Sequence, residues 1–209
     1  LPVKIGAGEE SEKSNIHVIV IIDVSGTTTE VYNEYGQIEV RDYDKVIKAL
    51  AVSVLDNLDE KINIGIVVVG TAKAPFVGVV TPKLVALKDN KKDLVDKISR
   101  LKGGGQSAID AGIKQAANML MEAGGGKNII LISDGRGLFE SPMLNTKNAV
   151  RDAYATGIKT YVVGVGAKEK QETEFLSDVA TLGNGYYFPA DAGKRLSILF
   201  GKPSKEDEK

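Results

Sequence analysis

Two kinds of hydrophobic run alternate along this chain. The first is short, continuous and aliphatic: residues 16–22 read Ile-His-Val-Ile-Val-Ile-Ile, with His17 the one polar interruption. Such a run is the pattern of a strand buried on both faces of a parallel sheet, because a half-exposed strand would alternate. Residues 62–69, 128–133 and 158–165 repeat it, and 185–188 is a shorter version. Residues 76–80 are also apolar but lie between Pro75 and Pro82. Proline cannot donate to a ladder, so this strand belongs at a sheet edge. The second kind of run is helical. Val46, Ile47, Leu50, Val54, Leu55 and Leu58 form a broad apolar face over residues 45–59, with Asp44 placed to cap the helix. Residues 88–101 carry Leu94, Val95, Ile98 and Leu101 among lysines of a solvated face. Further helices are expected over 108–122, 142–155, 172–182 and 191–200, with glycines closing the first two.

Strands and helices thus alternate at crossover spacing. This predicts an α/β fold: a three-layer, doubly wound, mainly parallel sheet covered by helices on both faces, with one antiparallel edge strand. Residues 1–14 read as a flexible lead-in, 15–200 as the folded domain and 201–209 as a charged tail. The segment 27–42 fits neither period. It holds Thr28, Thr29, Tyr32, Asn33, Tyr35 and Arg41, with room for a short hairpin around Tyr35. It is either a surface insertion or a specificity loop.

Composition narrows the function classes. The 209 residues are 43% hydrophobic and 26% charged with a net charge of −1, so nothing marks a nucleic-acid or acidic-membrane surface. There is no cysteine, which removes disulfides, thiolate metal sites and cysteine nucleophiles. Its apolar runs are strand-sized, well short of the roughly 20 residues that span a bilayer, so no direct membrane insertion is expected. The sequence begins at Leu1 with no signal-like stretch ahead of the first strand. The expectation is a processed or excised piece, which leaves the compartment open.

The candidate chemistry sits where strands end. Asp23, Ser25 and Thr27 follow the first strand, Ser107 follows Gly103, Gly104 and Gly105, and Asp134 follows the strand 128–133. The carboxyl ends of parallel strands are where open α/β sheets bind ligands. Carboxylates and hydroxyls are hard oxygen donors that suit Mg²⁺, Mn²⁺ or Ca²⁺. Thr71, in a Gly-Thr pair closing the strand 62–69, is a possible helper or a turn hydroxyl. His17, inside a buried strand and the single histidine, reads as a packed or strand-end residue; a histidine zinc site or a Ser-His triad within this chain is excluded. The glycine runs do not read as nucleotide loops: Met121 stands where Gly124-Gly-Gly-Lys127 would need its leading glycine, and Glu169 where Gly164-Val-Gly166 would need its third.

Taken together, Asp23-Val-Ser25-Gly-Thr27, Ser107 and Asp134 in Ile-Ser-Asp-Gly resemble the metal-ion-dependent adhesion motif of the von Willebrand factor A family, which includes integrin inserted domains. Residues 157–166 are similar to the segment leading into that family's fifth strand. The resemblance spans about residues 15–200 and implies a Rossmann-like domain holding one Mg²⁺ or Mn²⁺, with Ca²⁺ less favoured. It implies that Ser25, Thr27 and Ser107 touch the ion, that Asp23 and Asp134 act through waters or hydrogen bonds, and that an acidic residue of a protein partner completes the coordination. In some members occupancy is coupled to movement of the last helix, here 191–200. Thr27 stands where serine is usual and Ser107 where threonine is usual; both keep a hydroxyl. The long loop after Thr27 departs from the short connections common in the family, so ligand type is not inherited across it.

The expected function is therefore metal-dependent protein binding, not catalysis. Two alternatives stand beside it. Asp23-Val-Ser-Gly-Thr27 is also similar to the phosphoryl-accepting Asp-x-x-Gly-Thr of haloacid-dehalogenase-like phosphotransferases, where Asp23 would be the nucleophile with Mg²⁺ neutralising phosphate. Ser25 stands where many such phosphatases carry an acid, and Arg136 and Leu138 follow Asp134 where a second acid would be needed. The other alternative is a scaffold domain of the same fold that binds through other surfaces.

Overall fold

The computed structural model describes residues 15–25, 31–32, 35, 38–39, 43–136, 140–166 and 170–190. The lead-in 1–14, the helix expected at 191–200 and the tail lie outside them. The chain runs β1 (Ile16–Asp23), β2 (Val31–Tyr32), β3 (Ile38–Glu39), α1 (Tyr43–Asn57), β4 (Asn63–Val69), β5 (Val77–Val79), β6 (Val85–Ala86), α2 (Leu87–Ser99), α3 (Ile109–Leu120), β7 (Gly126–Ser133), α4 (Glu140–Ala155), β8 (Ile158–Val165), α5 (Lys170–Leu182) and β9 (Tyr187–Ala190). The main sheet has the order β5-β4-β1-β7-β8-β9, with β6 also on β4. The β4-β1-β7-β8-β9 pairings are all parallel.

Each central strand is buried on both sides, as its uninterrupted aliphatic run requires. Side chains alternate across the sheet with period two, and two cores result. Val18, Val20 and Ile22 of β1 pack with Ile64, Ile66 and Val68 of β4 beneath α1 and α2. Ile19 and Ile21 pack with Ile129 and Leu131 of β7 beneath α3, α4 and α5. The three-layer, mainly parallel architecture expected from the sequence is the one observed.

Differences from the expected elements are local. Helix α1 starts at Tyr43, so Asp44 lies inside its first turn and not at the capping position ahead of it. Helix α4 starts at Glu140, which places Pro142 in the first turn, where its missing N–H costs nothing. The edge strand β5 is antiparallel to β4, and two-residue β6, too short to leave a pattern, pairs antiparallel further along β4. The last strand begins two residues later than its apolar run, because the Gly185 N–H is taken by the Ala180 carbonyl in the turn after α5. Around Tyr35, β2 and β3 form the expected hairpin.

Candidate metal centre

Strand parity aims the first carboxylate. Asp23 shares the odd-numbered face of β1 with Ile19 and Ile21, the face covered by α3. It is wholly buried. Its Oδ1 accepts the Ser25 backbone N–H at 3.1 Å, and its Oδ2 accepts the hydroxyls of Ser107 at 2.9 Å and Ser133 at 2.7 Å. Asp23 is therefore the hub that draws hydroxyls from two other strand or loop ends.

Ser107 is delivered by close backbone packing. The Gly104 N–H donates to the Val24 carbonyl (3.2 Å) and the Gly105 N–H to the Gly70 carbonyl (2.9 Å). A Cβ on Gly103 would overlap the Val24 carbonyl oxygen, and one on Gly105 the Thr71 carbonyl oxygen. The loop can lie against the ends of β1 and β4 only because these residues have no side chain. Gly103 and Gly105 thus serve the approach of one backbone to another.

Asp134 follows β7, the strand beside β1. The chain leaves β1 toward β4 on one side and later returns to β7 on the other, so Asp23 and Asp134 flank the topological switch point. Asp134 is 4% exposed. Its Oδ1 accepts the Arg136 backbone N–H at 3.0 Å. Burial pushes the Asp23 carboxyl up from the ordinary range, against the lowering effect of its hydrogen bonds. Asp134 is pushed up to about 7, first by burial and then by the charge of Asp23, with the Arg136 N–H and guanidinium pulling the other way.

Two buried carboxylates that repel one another, ringed by serine hydroxyls, fit a small hard cation. A divalent ion would relieve both the repulsion and the burial penalty. The Ser107 hydroxyl donates its proton to Asp23 and can turn its oxygen lone pairs toward a cation, whereas the Ser133 oxygen is engaged by the Gly135 N–H. The donor set contains oxygen alone, which disfavours softer metals.

The structure thus brings together four of the five expected residues: Asp23, Ser25, Ser107 and Asp134. The fifth, Thr27, lies outside the described residues. Thr71 is used within its own turn, its hydroxyl donating to the Lys73 carbonyl at 3.2 Å. His17 is at the opposite end of β1, its Nε2 2.8 Å from the Gly124 carbonyl oxygen, a strand-end packing role. Ser133 is a site residue that the sequence reading did not single out. Its signal was present as a lone hydroxyl closing an aliphatic strand, on the same parity as Ile129 and Leu131 and hence on the face of Asp23. Nothing in the geometry favours Asp23 as a phosphoryl acceptor, since it is fully buried and both its oxygens accept hydrogen bonds.

Fold and site together define an open α/β domain with a carboxylate–hydroxyl centre at the carboxyl ends of its strands. Residues 17–200 match the von Willebrand factor type A domain, and the chain belongs to that family. No curated protein sequence matches the chain. Solved structures similar to it include the conserved hypothetical protein BatB from Bacteroides thetaiotaomicron, with a TM-score of 0.65 and 18% identity over 85% of this chain and 91% of that one. A von Willebrand factor type A protein from Catenulispora acidiphila has a TM-score of 0.65 and 20% identity over 85% of this chain and 39% of that one. The open conformation of the pilus adhesin SpaC from Lactobacillus rhamnosus GG has a TM-score of 0.65 and 14% identity over 88% of this chain and 29% of that one. At these identities the likeness is one of fold. Among the described residues, no helix is long and apolar enough to cross a membrane.

Proposed function

We propose that this domain binds a protein partner through one Mg²⁺ or Mn²⁺ held by Asp23, Ser25, Thr27, Ser107 and Asp134, with an Asp or Glu of the partner completing the site. The observation that carries this reading is the burial of Asp23 and Asp134 side by side at the switch point, with hydroxyls gathered on Asp23. When bound, the ion supplies an electrophilic centre for an incoming carboxylate. Asp23 orients the Ser107 and Ser133 hydroxyls, and Ser133 in turn accepts the Gly135 N–H at 3.0 Å, which fixes the turn that carries Asp134. The likeness to a pilus adhesin supports binding over catalysis.

The test is an immobilised peptide array with Asp or Glu at one position, beside Asn and Gln counterparts, probed in Mg²⁺ and in EDTA. Binding confined to the acidic peptides, present with metal and lost both in EDTA and in Asp23→Ala, supports the reading. Equal binding by Asp23→Ala would move the assignment to a scaffold that uses other surfaces.

A further inference from the structure

Arg136 ties three described parts of the fold together. Its backbone N–H donates to Asp134 Oδ1 at 3.0 Å, its Nε to Glu172 Oε1 at 3.1 Å, and its Nη2 to the Gly166 carbonyl at 3.2 Å. Those partners belong to three different places: the site carboxylate, the first turn of α5, and the residue that closes β8. The Arg136 and Glu172 side chains are only 24% and 13% exposed, so the pair is largely shielded from solvent. Between Asp134 and Arg136, Gly135 takes a φ of +72°, and a Cβ there would press on Leu176 at 3.1 Å and the Glu172 carbonyl oxygen at 3.3 Å. The turn carrying Asp134 is thus wedged against α5 by its glycine and pinned to α5 and β8 by its arginine.

Resting on the metal-binding reading above, we propose that Arg136 and Glu172 form a positioning clamp that holds Asp134 in register with Asp23 for the cation. Neither is itself a ligand. Groups that orient metal ligands from behind commonly govern affinity as strongly as weak ligands do. The sign of the effect separates this role from simple electrostatics. A guanidinium near the site repels a cation, so charge alone predicts tighter metal binding when Arg136 is removed. A clamp predicts weaker binding.

The experiment uses the full chain as wild type, Arg136→Ala, Arg136→Lys and Glu172→Gln, each checked for folding by circular dichroism. Mn²⁺ affinity is measured by calorimetry, and amide hydrogen exchange is measured separately in EDTA. The clamp predicts that Mn²⁺ binding falls by about ten-fold or more in Arg136→Ala and Arg136→Lys. Lysine keeps the charge but not the two-pronged geometry. It also predicts faster exchange of the Gly135 and Arg136 amides without metal, with the interior amides of β7 unchanged. Unchanged or tighter Mn²⁺ binding in Arg136→Ala overturns the proposal, and so does unchanged exchange at those two amides. If the wild type takes up no Mn²⁺, the metal reading fails separately. The exchange data alone then decide the clamp, local acceleration keeping it and its absence removing it.

Discussion

Asp134 and Asp23 are buried at adjoining strand ends, where the charge of each opposes ionisation of the other, and this should be visible as pH dependence. The Asp134 carboxyl is raised in the folded chain from 3.8 to about 7. A raised folded-state value means that the native protein holds the proton more tightly than the unfolded chain. The stabilisation is complete below about pH 4 and is lost as pH rises through about 7. The metal-free domain should therefore lose stability between about pH 4 and pH 7, at up to about 1.4 kcal/mol per pH unit. Asp134→Asn, which still accepts the Arg136 N–H, should flatten that slope, and millimolar Mg²⁺ should restore wild-type stability at pH 8. Urea midpoints in EDTA and in Mg²⁺ check this; equal slopes for both proteins would refute it. Ser133→Ala should cost about 1–3 kcal/mol, because it leaves the Gly135 N–H and one lobe of Asp23 unsatisfied. At this scale the sequence showed the residue types but not every member. Asp23, Ser25, Ser107 and Asp134 stood out through their positions at run ends. Ser133 looked like the last residue of a strand, and only the pairing of β7 beside β1 gives it a role.

The element that assembles the site is the glycine loop ahead of α3. Its packing is backbone on backbone, and neighbouring glycines should respond differently to the same substitution. Gly103→Ala would drive a Cβ into the Val24 carbonyl and should destabilise by at least about 2 kcal/mol. Gly104 has open space around it but a φ of +114°, so Gly104→Ala should cost only the backbone strain, about 1–2 kcal/mol. Chemical denaturation of the two variants tests the ordering, and a larger loss at Gly104 would contradict it. Elements with long aliphatic runs were legible because burial on both faces leaves no alternative pattern. β6 was not, because two residues carry no period, and the true start of α1 was not, because Asp44 is as acceptable in a first turn as at a cap.

For the molecule as a whole, parity and topology place the candidate site more than any single motif does. Odd-numbered residues of β1 and β7 face α3, α4 and α5, so Asp23 and Ser133 meet on the side from which Ser107 arrives. Reversal of strand order at β1 opens the crevice where Asp134 joins them. The fold was readable from the alternation of runs, and the candidate site from residues that recur at strand ends. The nature of the partner was not, because that depends on surfaces around the site and not on its core. The central claim is that this centre holds one divalent cation. Its most direct test is calorimetric titration of the chain with Mg²⁺, Mn²⁺ and Ca²⁺ beside Asp23→Ala. The account predicts saturable uptake of a single Mg²⁺ or Mn²⁺ ion per chain, with Ca²⁺ weaker and all binding lost in the variant. Uptake that survives in Asp23→Ala, or no uptake by the wild type at millimolar metal, would contradict it.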